Sequence, residues 1–394
     1  MDEILSYLLK DLRALKACSL TCKCLFGATR PLIHRRLICL DTRPSFPERL
    51  LSGRRRRDPR TFERLVNAGR SGVLRYTQHL TFKSFKPCFD PRDLQEYLPQ
   101  LQSITKLDSL TLDIFSLPLF TPVLNDGCFG TLANTLRHLD IRTVHGAQRA
   151  LPYFISKFPL LEDLTIVSSA IHFFTHLGDP VPTITRSPPL RGKLVLVNAH
   201  SRSLPEGIAA FPGGLNFRSI ELAACRHPEA VLVACGRTAT SISYLWRWGH
   251  DSESNSLFRC IIRGNHWRLV TPLDLRRNVV LEKFEFTIAA IHFSLVHEWV
   301  YQTLQTITSP LFNEFVIWLL GWEVPRTPVN DDGWGAVETL LNVLTERNPG
   351  FRIVFVGHGD WSLIASYLPL AWSKGLVQFC FPHAENRFKK YGVM

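Results

Sequence analysis

The sequence predicts an α/β chain: a short helical unit at the N-terminus, then an irregular solenoid with parallel strands inside and helices outside. Three observations predict it. In the first forty positions Ile4, Leu5, Leu8, Leu9, Leu12, Leu15, Cys18, Cys22, Leu25 and Phe26 recur in steps of one, three and four, the spacing of short amphipathic helices. From about Val73 a different unit recurs: an apolar residue, two others, a second apolar residue, one other, a third. Its last two apolar positions alternate with a polar or small residue, as a half-buried strand does. Finally, amphipathic stretches ending in Pro or Pro-Gly precede several of these copies. One strand–helix unit cannot bury both faces of its strand, so such units stack in series. An ordinary α/β domain with a parallel sheet is the alternative, because alternating strand and helix signals do not separate the two.

Residues 1–40 form the helical unit. Asp11 suits the N-cap of its second helix, and Pro31 suits the first turn of another running to about Leu40. Helices this short lack the mass to fold well alone and make more sense as a docking surface. Residues 41–72 read as an Arg-rich linker, punctuated by Pro44, Pro47, Gly53, Pro59 and Gly69, with one helix around 59–68. Arg54, Arg55, Arg56 and Arg57 within it suit either a solvated loop or a contact for an acidic surface or nuclear import.

Residues 73–382 hold the strand copies, and 383–394 are a tail. The copies are Leu107-Leu110-Leu112, Leu136-Leu139-Ile141, Leu161-Leu164-Ile166, Phe217-Ile220-Leu222, Leu281-Phe284-Phe286, Phe312-Phe315-Ile317, Phe351-Val354-Val356 and Leu376-Phe379-Phe381. Leu190-Leu194-Leu196 fits with one residue inserted, Leu80 and Phe82 suggest an earlier copy, and Ile242 with Leu245 a distorted one. Helices are expected at 147–158, 294–307 and 334–344, each followed by a breaker (Pro159, Pro310, Pro349) and then a strand.

Two resemblances attach to these residues. Asp11-Leu12, Leu15, Cys18-Ser19-Leu20 and Cys22-Lys23, followed by the run Leu32-Ile33-His34-Arg35-Arg36-Leu37, resemble an F-box, especially of the fungal (basidiomycete) kind. Leu25 stands where that family tends to carry Trp, and Met1-Asp2-Glu3-Ile4 where it usually opens on Leu-Pro. The resemblance implies a subunit of a Skp–cullin–F-box ubiquitin ligase. Its N-terminal helices would bind a Skp-type adaptor held by a cullin, and its C-terminal repeats a protein target for ubiquitin transfer by other subunits. Ile4, Leu5, Leu12, Leu15, Leu20, Cys22 and Leu25 are the candidates for the adaptor face or for the packing behind it. Residues 73–382 resemble a degenerate leucine-rich repeat of 20 to 30 residues. The Asn or Cys of that repeat, eight residues after the first apolar position, is met by Cys225 after Phe217, while Ser169 and Ala289 stand there in other copies. The other class of function is a repeat scaffold outside any ligase, binding a protein or, through Arg54 to Arg57, nucleic acid.

Composition bounds the rest. With 45% apolar and 11% aromatic residues, and 26 Phe and 9 Trp against 2 Met, the chain is expected to bury a stiff aromatic core. No uncharged apolar run reaches the roughly 18 residues needed to span a bilayer, so no membrane is expected. No export signal is visible, and the ten Cys read as reduced, mostly buried thiols of the cytosol or nucleus. Between Arg30 and Arg75 stand thirteen Arg and no Lys against four acids, so the net charge of +12 belongs mainly to one segment and a nucleic-acid surface is not indicated. No nucleophile elbow, phosphate loop or His-Glu-x-x-His is present; His297-Glu298 lacks the second His. Gly357-His358-Gly359-Asp360-Trp361 reads as a turn. Cys18, Cys22, Cys24 and His34 lack zinc spacing and read as helix-packing thiols. No catalytic residue, metal or cofactor is expected. Trp246 and Trp248, beside Tyr244 and Arg247, divide between core and a target-binding surface.

Overall fold

The structure is a computed structural model and describes residues 11–41, 63–84, 101–116, 130–145, 150–168, 187–199, 202–225, 227–245, 272–289, 297–320, 333–357 and 361–380. The chain divides into two units, Met1–Pro188 and Pro189–Met394. Both are α/β, and within each the described strands run parallel to one another in sequence order.

The first unit contains helices α1 (Leu12–Thr21) and α2 (Lys23–Ile33), strand β1 (Arg36–Asp41), helix α3 (Glu63–Arg70) and a 3-10 turn at Leu74–Tyr76. Strands β2 (His79–Ser84) and β3 (Ser109–Ser116), helix α4 (Gly130–Ala133), strand β4 (His138–His145), helix α5 (Ala150–Ser156) and strand β5 (Asp163–Ser168) follow. Pairing aligns Leu37, Leu80, Leu110, Leu139 and Leu164 in one row. Phe82, Leu112, Ile141 and Ile166 form the next, and all of these but Leu37 are buried. One backbone step recurs just before each strand. Arg35 O accepts from Gln78 N and His79 N, Gln78 O from Asp108 N and Ser109 N, Asp108 O from Arg137 N and His138 N, and Arg137 O from Glu162 N and Asp163 N. Each carbonyl thus holds the start of the next strand, which fixes the register that keeps the apolar rows on one face.

The second unit contains β6 (Leu190–Val197), α6 (Ser203–Ala209), β7 (Leu215–Ala223), α7 (Glu229–Ala234), β8 (Ser241–Leu245), β9 (Lys283–Ala289) and α8 (His297–Gln305). It continues with β10 (Glu314–Leu320), α9 (Gly333–Arg347), β11 (Arg352–Val356), α10 (Trp361–Tyr367), α11 (Pro369–Ser373) and β12 (Val377–Cys380). Its packed rows are Leu194, Ile220, Ile242, Phe284, Phe315, Ile353 and Val377, then Leu196, Leu222, Tyr244, Phe286, Ile317, Phe355 and Phe379. Trp299 of α8 lies on the second row, with ring centroids 4.6 Å from Phe286 and 5.6 Å from Tyr244. Phe284 stacks on Phe315 at 5.8 Å and Phe355 on Phe379 at 5.8 Å. The strand-entry step recurs here, with Thr240 O accepting from Glu282 N and Lys283 N, and Glu282 O from Asn313 N and Glu314 N.

The expected helices at 147–158, 294–307 and 334–344 are α5, α8 and α9, and the helix in the linker is α3. Four expectations are corrected. The helix from Pro31 to Leu40 does not form: Pro31 lies inside α2, which ends at Ile33, and Arg36–Asp41 is a strand paired with β2. Proline removes an N–H from the helical ladder and favours termination nearby. Cys22, extended (φ −159°, ψ 163°), separates α1 from α2. In β11 the residues in register with Phe315 and Ile317 are Ile353 and Phe355, not Val354 and Val356. In β8 Tyr244, not Leu245, aligns with Phe286, and in β12 Val377, not Phe379, continues the row of Phe315 and Ile353.

The opposite face of the strands differs between the two units. In the first unit that face carries partly exposed His79, Thr81, Lys83, Ser109, Thr111, Asp113, His138, Asp140, Arg142 and Asp163. In the second, Lys283 Nζ lies 2.8 Å from Glu285 and 3.2 Å from Glu314, which also meets Arg352 at 3.1 Å. Farther along the same strands Val316, Val354 and Val356 cluster with Trp318, and Thr287 is fully buried. No described helix is long and apolar enough to cross a membrane.

Candidate docking surface

The helical hairpin is built from its caps. Asp11 Oδ1 accepts from Arg13 N and Ala14 N, both at 3.0 Å, and so satisfies two of the orphan donors that open α1. Cys22 closes α1 and opens α2, its Sγ accepting from Leu25 N at 3.4 Å. A single extended residue therefore separates two helices that pack against each other, and Leu15 of α1 is 1% exposed. In α2 the buried Thr29 hydroxyl donates to Leu25 O at 2.7 Å.

This hairpin is fastened to the first strands. Arg30 Nη2 donates to Ser71 O at 2.9 Å, and its guanidinium lies 5.5 Å from the Phe26 ring and 6.0 Å from that of Tyr76. The Thr77 hydroxyl donates to His34 O at 3.4 Å, beside the two bonds from Gln78 and His79 to Arg35 O. What the hairpin does not bury is large and apolar: Leu12 is 48% exposed, Leu20 87% and Phe26 48%. Fully covering such side chains in an interface stabilises by about 1.5–3 kcal/mol each, which makes these three positions candidates for a docking contact.

Of the residues singled out in the sequence, Leu12 and Leu20 are on this surface, Leu25 is partly buried, and Leu15 is interior packing. Cys22 is exposed but serves as a cap. Ile4, Leu5, Arg54, Arg55, Arg56, Arg57, Trp246 and Trp248 lie outside the described residues. Phe26 belongs to the surface; its signal was an aromatic residue directly after Leu25. The expectation of helix-packing thiols is corrected, since Cys18 is partly exposed and Cys22 and Cys24 are exposed. The break at Cys22 ends the face that Cys18 and Cys22 would share on one continuous helix. Cys225 and Cys235 are buried, and burial pushes both thiols up to about 12, but Cys380 is exposed as well, so the expectation of mostly buried thiols does not hold among the described residues.

Where the hairpin meets the strands, positive charge accumulates. His34 is held below its ordinary pKa by burial and then by Arg30 and Lys16. His79 is lowered by burial, Arg35, Arg36 and His138, against the opposing pull of Asp108. Farther along the sheet His138 Nδ1 pairs with Asp163 at 2.9 Å, and its Nε2 lies 3.7 Å from Asp108. Among the described residues no group of three or more His, Cys, Asp or Glu is arranged to hold a metal. Comparison with protein-family models, with curated proteins and with solved structures finds no match to this chain.

Proposed function

We propose that the chain is a non-catalytic substrate receptor of a Skp–cullin–F-box ubiquitin ligase, working in the cytoplasm or nucleus. In this reading α1 and α2 are an F-box-like hairpin that binds a Skp-type adaptor, itself held by a cullin. The strand–helix units are leucine-rich-repeat-like and present a protein target, for which Trp246 and Trp248 are candidate contacts. The receptor makes no bonds; it raises the local concentration of the target near the conjugating machinery, as linked binding sites do.

The exposure of Leu12, Leu20 and Phe26 on a hairpin braced against the first strands is the observation that carries this reading. The test is co-purification with a Skp-type adaptor. Leu12→Asp with Leu20→Asp alters exposed positions only, so the fold is expected to persist while adaptor binding is lost. Retention of the adaptor by the double variant, or no binding by the parent chain, overturns the proposal and leaves a repeat scaffold outside any ligase.

A further inference from the structure

Four arginines, Arg30, Arg35, Arg36 and Arg75, converge where α2 meets the first two strands. Arg30 and Arg75 share the ring of Tyr76, at 6.0 and 4.8 Å from its centroid. Arg36 is the register partner of His79, and Arg35 precedes it. Arg35, Arg36 and Arg75 make no ion pair among the described residues, and Arg35 Nε is buried without a hydrogen-bond partner. Tyr76 is partly exposed, while Phe26 is 48% exposed and Ile38, on the same face of β1 as Arg36, is 44% exposed. His34 and His79 are lowered first by burial and then by the neighbouring cations, Arg30 and Lys16 for the one and Arg35 and Arg36 for the other.

We propose that the surface formed by Arg30, Arg35, Arg36, Arg75, Tyr76 and Phe26 docks an acidic segment of a protein partner, one in which carboxylates are interspersed with large apolar side chains. The guanidinium fork matches a carboxylate with paired hydrogen bonds, and Arg beside exposed aromatic side chains is the composition of protein interfaces. A long polyanion suits the surface poorly. On the next three strands Asp113, Asp140 and Asp163 pair with Lys83, Arg142 and His138, so the uncompensated positive charge does not continue across the sheet for a phosphate backbone to follow. A short acidic segment ends before it reaches them. This proposal does not rest on the ligase reading and stands or falls without a Skp-type adaptor.

The experiment uses the full chain and a short fluorescent peptide of glutamates interspersed with leucines. Its glutamine-for-glutamate analogue and labelled oligothymidylate are the comparison probes. The glutamate peptide is expected to bind more tightly than either. Arg36→Gln with Arg75→Gln, both at exposed positions, weakens it by roughly tenfold with the circular dichroism spectrum unchanged. In the charge-reversed chain, Arg36→Glu with Arg75→Glu, a lysine version of the peptide binds in its place. Equal binding of the glutamate and glutamine peptides, tighter binding of oligothymidylate, or an unchanged affinity in the double glutamine variant overturns the proposal.

Discussion

The packed rows of the first sheet are almost wholly aliphatic, while those of the second turn aromatic from β8 onward, with Tyr244, Phe284, Phe286, Phe315, Phe355 and Phe379 in register. All nine Trp of the chain lie beyond Pro188, whereas the thirteen arginines between Arg30 and Arg75 lie before it. The opposite faces follow the same division. The strands of the first unit present a half-exposed polar face, and those of the second bury Glu285, Thr287, Val316, Val354 and Val356. One strand–helix plan thus serves two ends. Where much of the opposite face is buried as well, the chain spends its aromatic residues on packing. Where one face stays open it carries charge and leaves Leu12, Leu20 and Phe26 uncovered on the adjoining hairpin.

The largest test of this contrast is Phe286→Ala, which removes a ring stacked on both Tyr244 and Trp299. A loss of about 3–5 kcal/mol is expected from the cavity and the lost contacts. Tryptophan emission in a urea titration reads it directly, since every Trp is in the second unit. A midpoint shift no larger than that of Val343→Ala, at a partly exposed helix position, would break the comparison.

The two units should also fail at opposite ends of the pH scale. In the second, Cys225 and Cys235 are raised by burial to about 12, and Tyr244 is raised by burial and by nearby Cys225 and Glu229. Lys283 is pulled down by burial, but Glu285 and Glu314 outweigh this and leave it raised. Groups raised on folding contribute stability below their unfolded pKa and lose it as pH rises. Each buried thiol therefore costs roughly 1 kcal/mol per pH unit between its ordinary value of 9.0 and about 12. His34 and His79 of the first unit are lowered instead, so their contribution is present above 6.5 and lost as pH falls through their folded values. Urea midpoints from tryptophan emission at rising pH, and amide-exchange protection of residues 63–84 at falling pH, separate the two. Acid lability confined to the second unit would contradict the assignment.

Asp11→Ala is expected to cost about 1 kcal/mol through the lost cap and to loosen amide protection in α1 without moving the tryptophan transition. The smallest effect is on reactivity. A maleimide should modify Cys22 and Cys24 in the folded chain and leave Cys225 and Cys235 untouched until the second unit unfolds. Peptide mapping of the modified sites checks this, and early modification of Cys235 would show that the aromatic core is looser than its packing indicates.

The parallel strand–helix plan was legible because Leu110 with Leu112 and Phe284 with Phe286 alternate with polar residues, which fixes both strand and phase. The phase of β11 was not legible, because Ile353, Val354, Phe355 and Val356 are all apolar and all buried, and a strand covered on both faces carries no alternation. β1 was hidden for a related reason. Leu37-Ile38-Cys39-Leu40 is a short apolar run directly after a helix, and such a run does not distinguish helix from strand. Leu12 and Leu20 were found as candidates from the family pattern. Their difference from Leu15 depends on a corner at Cys22 that rests on a thiol acting as a cap. The basic cluster around Tyr76 was visible only as an excess of arginine, because the sheet register brings Arg36 beside His79 across 43 positions of sequence. Asn278 and Asn348, each three residues before the first apolar residue of a copy, escaped notice. Their side-chain amides donate to Leu232 O and Phe312 O, both at 3.2 Å, in the strand–helix unit before.

Because every described strand pairs with its immediate predecessor in sequence within its unit, each new strand finds its template already made. Sequence separations between paired strands stay at a few tens of residues, which keeps loop-closure entropy low and favours stepwise growth over a single global search. During synthesis the hairpin and β1 emerge before β2 to β5, and each later strand can dock as soon as it clears the ribosome. Arg35 O, which receives the first pair of strand-entry hydrogen bonds, is then the starting block of that sequence. Removing β1 should slow the ordering of the first sheet far more than removing a strand of similar size at its other end.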